Sequence, residues 1–331
     1  MKGGVKLTGI LVGLLLIAGA GGVFAQANFY EGKTIRFIVG FSAGGGYDAY
    51  TRTIARHMGK HVPGNPVFVV DNMAGAGSLI SANYVYKAAK PDGLTIGHFI
   101  GGLFLQQLLG KPGIEFDSLK FEYIGVPAQD HFILSVSKSA GITDPDKWIA
   151  SKQVVKFGGV STGSGTDDFP NLLKATIGLP IQMVSGYKGT ADIRLAFNSG
   201  EVAGISNSWE SMKSTWKKEL ESSDLSIVLQ VTSKPHPELL KVPLAVNLAK
   251  TEEAKKQFQA SVADAKFGYS NPTIFIIVCS ILGDLDNAYR WAEKARESGR
   301  IALHSLRFSP DLQRFRTDPR YNLLLAKAHL Q

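Results

Sequence analysis

The sequence predicts an α/β protein of two open-sheet lobes followed by a short all-helical tail. Three observations carry this reading. Strands, glycine turns and helices alternate between Ile35 and Phe99. The same alternation returns between Val154 and Ile205, about a hundred residues later. Beyond about Lys266 no further strand-and-turn unit follows, and the helical tail rests on separate motifs there. Alternating elements imply parallel sheets with helices on their faces. A chain of 331 residues is long enough for two hydrophobic cores.

The segment ahead of the first lobe reads as an export signal. Lys2 and Lys6 give it a positive start, Leu7–Ala20 is apolar, and Val23-Phe24-Ala25 fits a cleavage site. Cleavage is expected after Ala25, so that the exported chain starts near Gln26. The apolar part is shorter than the roughly 20 residues of a membrane span. An uncleaved anchor is the alternative.

Ile35, Phe37, Ile38, Val39 and Phe41 form the first strand. Gly44-Gly45-Gly46 follows, and Asp48 stands where a helix N-cap belongs. Tyr50, Ile54 and His57 or Met58 continue at helical spacing to about Lys60. A strand, a glycine turn and a helix start make an anion site, because the first-turn N–H groups are unpaired and glycine lets a ligand approach. A plain turn needing positive φ is the simpler reading. Val67–Val70 is a second strand. It leads through Gly75 and Gly77 to Ser78, a possible N-cap, and to a helix ending at Pro91-Asp92-Gly93. Leu94–Phe99 is the third strand.

In the second unit Val154–Phe157 is a strand and Gly158–Thr166 a glycine- and hydroxyl-rich turn. Asp167 or Asp168 is read as capping a helix with Pro170 in its first turn, closed by Gly178. Ile181–Val184, a helix over Asp192–Asn198 and Val202–Ile205 complete the unit. Ligands of open α/β sheets bind at the carboxyl ends of the strands. Facing lobes would therefore bring the turns after Phe41 and Phe157 to one cleft.

Composition excludes several classes. Net charge is +8; Lys2 and Lys6 carry +2, and residues 268–331, with nine Lys/Arg and six Asp/Glu, carry +3. The +3 left on residues 26–267 gives no basic face for nucleic acid. The single cysteine, Cys279, allows no intrachain disulfide or cysteine metal site, and its neighbours Ile276, Ile277, Val278 and Ile281 make it a small apolar residue. His57 and His61 have metal-compatible spacing, but Arg52, Arg56 and Lys60 make their helix a basic face. The first turn lacks both the dinucleotide spacing and the P-loop lysine. No cofactor and no metal are expected. Gly159-Val160-Ser161-Thr162-Gly163 fits the Gly-x-Ser-x-Gly elbow of hydrolases. Gly163–Thr166 would hold Ser161 away from the helix start, and His236 lies between prolines. Glycine, serine and threonine there suit carboxylate binding by neutral donors. Trp209 and Trp216 flank a charged helix and read as packing residues, one of which could line the cleft.

Five motifs in order resemble the extracytoplasmic receptors of tripartite tricarboxylate transporters, the Bug family. They are Ile35–Asp48, Val69–Gly77 (VVDNMAGAG), Lys90–Gly97, Gly158–Thr166 and Gly186-Tyr187-Lys188-Gly189, within roughly residues 30–250. The resemblance implies a two-lobed periplasmic-binding-protein-like fold of type II. It implies a periplasmic receptor, without chemistry of its own, that clamps a small organic anion such as a carboxylate. The receptor would hand it to the membrane permease subunits. Carried over residue by residue, the ligand would meet Ser42, Ala43, Gly45, Gly46 and Asp48 on one lobe. On the other it would meet Ser161, Thr162, Gly163, Ser164, Thr166 and Tyr187, with Gly75, Gly77 and Ser78 at the rim. Closure would turn on segments near residues 124–136 and 230–245, and the receptor is expected to be a monomer.

Two features depart from the family. Ala43 stands for the usual proline and Tyr47 for the common threonine. The family's chain also returns to the first lobe, and no return is visible after Lys266. Instead Ile281–Ala288, Trp291 and Glu293-Lys294-Ala295 resemble a tetratricopeptide-type helix pair, and Leu306–Leu330 the close of such repeats. A single repeat needs a neighbour to cover its apolar face. The expected division is a signal over 1–25, lobes over 26–125 and 126–240, a connection over 241–267 and a helical tail over 268–331. A fusion or a frameshift would also produce such a tail. Two other readings stay open: an exported esterase using Ser161, and a helical-repeat adaptor with a degenerate binding domain.

Overall fold

A computed structural model describes residues 29–108, 110–256, 258, 285–297 and 313–327. The signal segment, Cys279 and residues 281–284 of the tail motif lie outside them. The first sheet is β1 (Thr34–Val39), β2 (Val67–Asn72) and β3 (Thr95–His98), all parallel in the order β2-β1-β3. Its central strand buries Ile35, Phe37, Ile38 and Val39, as a strand covered on both faces must. Helices α1 (Gly46–Met58), α2 (Leu79–Lys87) and α3 (Gly102–Leu108) follow the three strands.

The second sheet repeats this plan and extends it. β4 (Phe132–Ser137), α4 (Pro145–Ser151), β5 (Val155–Gly158), α5 (Gly165–Ile177), β6 (Ile181–Val184), α6 (Thr190–Asn198) and β7 (Gly204–Ser208) follow in turn. Then come α7 (Trp209–Thr215), α8 (Lys217–Glu221) and β8 (Leu225–Gln230). The sheet order is β6-β5-β7-β4-β8, so β6-β5-β7 copies β2-β1-β3. β4 runs antiparallel to β7 and β8. The stretch before β4 is where the chain crosses from the first sheet to the second, and β4 is therefore more than the hinge strand expected over 124–136. Among the described residues no fourth strand pairs with β3.

Several boundaries differ from the sequence reading. α1 starts at Gly46 with Gly45 as N-cap, and Asp48 sits inside the first turn. There its carboxylate accepts the Gly44 N–H at 2.9 Å, favoured by the helix dipole. α5 begins at Gly165, before Asp167, so Pro170 lies past the first turn. Ser78 holds the N-cap position of α2, as read, but with φ +67° and without a side-chain cap, because its hydroxyl accepts the Ile100 N–H at 3.1 Å. The α4 start was legible in type but passed over. Asp144 accepts the Lys147 N–H at 2.9 Å and Pro145 takes the first helical position.

The core of the second lobe forms around Phe157, Trp148, Leu173 and Leu134. Ala245, Ala249, Ala254 and Phe258, from the segment expected to connect, are buried in it. In the tail, α9 (Leu285–Glu297), α10 (Gln313–Thr317) and α11 (Arg320–Lys327) bury Ala288, Tyr289, Ala292, Phe315, Tyr321, Leu324 and Leu325, which belong to the same hydrophobic cluster as Phe41, Leu103 and Trp216. Tyr289 stacks on Phe315 with centroids 4.3 Å apart and donates to its carbonyl at 2.6 Å. Arg320 reaches Asp286 at 2.6 Å. Among the described residues no helix is long and apolar enough to cross a membrane.

Phe157 is fully buried, with Trp148 stacked 6.1 Å away and Gly204 against its ring. Truncation leaves a cavity in a close-packed core. Phe157→Ala is expected to lower stability by about 3–5 kcal/mol, read from the urea midpoint.

Candidate functional site

The turns at Gly44–Gly46 and Gly163–Gly165 meet at the carboxyl ends of the two sheets. The Ser42 N–H donates to the Lys188 carbonyl at 3.1 Å, joining one lobe to the other through backbone. The Gly46 N–H points at Thr190 Oγ1, 3.4 Å away, and Gln106 Nε2 donates to the Thr162 carbonyl at 2.6 Å. Gly77 packs on Ser161 and Gly102 on the Gly163 carbonyl, and a Cβ at either glycine would overlap its neighbour. The lobes are closed on each other.

Between them lies a cavity of about 60 Å³. Gly45, Gly46, Tyr47 and Tyr50 line it from α1, Ser164, Gly165 and Thr166 from α5, and Thr190 from α6. Asn207, Ser208 and Ser211 come from the end of β7 and the start of α7. Neither α1 nor α5 has a side-chain cap. Two uncapped helix N-termini thus point partial positive charge at one small space. No lysine or arginine lines it among the described residues. A larger cavity of about 630 Å³ runs beside β3 and shares Tyr47, Tyr50, Ile100, Asp130, Phe132, Ser164 and Gly165 with the smaller one.

Each turn is held by a carboxylate of its own. Asp48 is buried and accepts from Gly44, from Arg52 Nε at 2.9 Å and from Asn72 Nδ2 at 3.0 Å. Burial works to raise its pKa, but these donors outweigh it and hold the carboxyl below its usual range. Asp167 is buried in the other turn and takes the hydroxyls of Ser164 at 3.2 Å and Thr166 at 2.9 Å, and that of Ser185. Asp168 accepts the Gly163 N–H at 2.9 Å. Burial pushes the Asp168 carboxyl up to about 6, against the pull of that N–H.

Of the residues expected to meet a ligand, Gly45, Gly46, Ser164 and Thr166 line the small cavity. The hydroxyls of Ser164 and Thr166 are engaged within their own turn, so from these two turns the donors left for a guest are backbone N–H groups. Ser42 and Gly163 sit at lobe-to-lobe contacts, as do Gly77, Ser161 and Thr162. Ala43 is exposed, Gly75 packs on Ile80, and Ser78 is spent on Ile100. The Tyr187 hydroxyl donates to Glu201 at 2.6 Å. Neither Trp209 nor Trp216 lines the cavity; Trp209 donates to Glu238 at 2.9 Å and Trp216 packs edge-on to Phe197.

Sequence reasoning passed over Tyr50, Asp130, Thr190 and Asn207-Ser208. The last pair carried a signal, since β7 is buried throughout yet reads Gly-Ile-Ser-Asn-Ser. The Ser161 hydroxyl donates to the Thr162 carbonyl at 3.3 Å. His236 stands elsewhere, beside Glu210 and His131. These three side chains converge closely enough for a metal. However, His236 Nδ1 accepts the Glu238 N–H at 3.1 Å, which leaves the proton of a neutral ring on the nitrogen turned to Glu210. His131 Nδ1 is 2.9 Å from Glu210 Oε1. Glu210, on α7, hydrogen-bonds to His131 ahead of β4 and has His236 Nε2, from beyond β8, 3.9 Å away, so the trio is a polar brace around the start of α7.

No family model matches the chain. Two curated proteins share short stretches with it. One is "UPF0065 protein in gbd 5'region" of Cupriavidus necator, 38% identical over 72 residues, 22% of this chain. The other is "UPF0065 protein in tcbD-tcbE intergenic region" of Pseudomonas sp. (strain P51), 34% identical over 121 residues, 36% of this chain. The matches span only 21% and 31% of those proteins' lengths. Among solved structures, the periplasmic binding protein BugD has a TM-score of 0.57 at 17% identity, covering 82% of this chain and 99% of BugD. MatC from Rhodopseudomonas palustris, with bound malate, has a TM-score of 0.57 at 18% identity, covering 78% and 98%. Rpa4515 of R. palustris, with adipate, has a TM-score of 0.52 at 21% identity, covering 81% and 98%. The fold is the periplasmic-binding-protein fold, and the resemblance to Bug receptors read from the motifs is borne out at that level.

Two expectations follow. Gly102→Ala keeps a good helix residue at the start of α3 but sets a methyl against the Gly163 carbonyl. Its radius of gyration by solution scattering is expected to rise with little change in melting temperature. For Asp168 the folded pKa of about 6 lies above the unfolded value of 3.8, so the folded state binds the extra proton. Stability from this group therefore increases as pH falls from about 6 toward 4. The urea midpoint of Asp168→Asn, measured against the parent protein across that range, is expected to lack this rise.

Proposed function

We propose that this chain is an extracytoplasmic solute-binding receptor, exported to the periplasm, that captures a small organic anion through a carboxylate. One observation carries the reading: two uncapped helix N-termini, one from each lobe, converge on a closed cavity with neutral donors around it. Such a site suits an anion of low charge. N–H groups and dipoles stabilise it without the desolvation cost of burying a lysine or arginine beside it. The malate and adipate of the structural neighbours are ligands of the same kind.

The ligand would bind the open form and be enclosed when Ser42 and Lys188 join, in a hinge closure about the crossing before β4. It would then be handed to permease subunits of a tripartite tricarboxylate-type transporter. The receptor works as a monomer and performs no reaction. The Ser161 hydroxyl, turned to its neighbour's carbonyl, supports that choice over an esterase. The helical tail, none of whose residues lines the small cavity, is read as an appended repeat rather than part of the clamp.

Melting the purified protein with a panel of mono-, di- and tricarboxylates tests this. A ligand at about a hundred times its Kd adds roughly 2.7 kcal/mol, a clear rise in melting temperature. Asn207→Ala should weaken the ligand that scores by roughly tenfold, about 1.4 kcal/mol. A panel without any shift would remove the receptor reading.

A further inference from the structure

The small cavity holds one acid and no base among the described residues that line it. The acid is Asp130, on the crossing segment just before β4, where the two cavities adjoin. Burial raises its carboxyl to about 6, helped by Glu210 and opposed by the Ser208 hydroxyl and His131. Beside it, the Tyr50 hydroxyl is buried, with the Ser208 hydroxyl close by but outside good hydrogen-bond geometry. Phe41, Ile100 and Phe132 supply apolar wall. At neutral pH the carboxyl is mostly ionised. A charged carboxylate facing a cavity with an unsatisfied hydroxyl is an expensive arrangement unless a guest completes it.

We propose that Asp130 is the specificity-determining residue of the cleft and pairs with a protonated amine of the ligand. The ligand is then a small amino monocarboxylate, whose carboxylate meets the N-termini of α1 and α5. A second carboxylate brought to the same wall would face Asp130 and be rejected by like-charge repulsion. The cavity itself is in keeping with a small guest, since it measures only about 60 Å³ where the two helix starts face each other and opens beside Asp130 toward the larger cavity. This inference rests on the carboxylate-clamp reading above and adds the other end of the molecule.

Titration calorimetry on the full exported protein at pH 7.5 would test it. The probes are glycine, L-alanine, β-alanine and γ-aminobutyrate, beside acetate, propionate, butyrate and succinate. The best amino acid is expected to bind at least tenfold more tightly than its amine-free counterpart and than succinate. Asp130→Asn should lose at least tenfold for that amino acid while holding the amine-free acid within threefold. Retained binding of the amine-free acid shows that the variant is folded and its clamp intact. The inference is overturned if succinate or an amine-free acid matches the best amino acid. It is overturned equally if Asp130→Asn leaves the amino acid affinity unchanged. If no probe binds and no other carboxylate does, the clamp reading falls as well, which separates the two failures.

Discussion

The backbone bond from the Ser42 N–H to the Lys188 carbonyl is the contact on which the rest of the site depends. It joins the turn after β1 to the turn after β6, and so fixes the distance between two helix starts that belong to different sheets. A bond between main-chain atoms demands that both turns approach without side chains between them. That explains the glycines better than helix geometry does. Gly102 meets the Gly163 carbonyl and Gly77 meets Ser161, each where a methyl group would not fit. Several glycines that a sequence reader assigns to ligand approach are in fact spent on lobe approach.

The turns themselves are stiffened from within. Asp48 gathers Gly44, Arg52 and Asn72, while Asp167 gathers the hydroxyls of Ser164, Thr166 and Ser185. A carboxylate inside each turn satisfies the polar groups that would otherwise compete for a guest. It also sets the first-turn N–H groups in place before any ligand arrives, which lowers the ordering cost of binding. The helix ends then present fixed dipoles in a space that no lysine or arginine lines among the described residues. Asp130 breaks this neutrality, and it does so on the crossing segment, which moves least against either lobe in a hinge closure.

The topology accounts for which parts of the chain were readable. β1-α1-β2-α2-β3 and β5-α5-β6-α6-β7 are local alternations, with glycine and proline at their joints, and each was legible to within a few residues. β4 and β8 were not placed in a sheet. Their identity lies in pairing partners, since β4 takes up an antiparallel place between β7 and β8, remote in sequence from both. The helix starts at Gly46 and Gly165 were misjudged for a local reason. Asp48 and Asp167 look like caps by residue type, but glycine and serine one turn earlier hold the cap positions, and the acids fold back on the turn.

By itself the amino-acid sequence determined that this is a two-unit α/β protein with paired glycine turns, because strand runs, helical spacing and turn residues are local properties. It also determined the absence of a nucleotide fingerprint. It could not decide which polar groups remain available to a ligand. That depends on what each hydroxyl and carboxylate meets after folding, and here Asp48, Ser164 and Thr166 are consumed within their turns. Only tertiary structure brought Tyr50, Asp130, Thr190 and Asn207 to one wall, since they come from a helix, a crossing, a second helix and a strand end that are far apart along the chain.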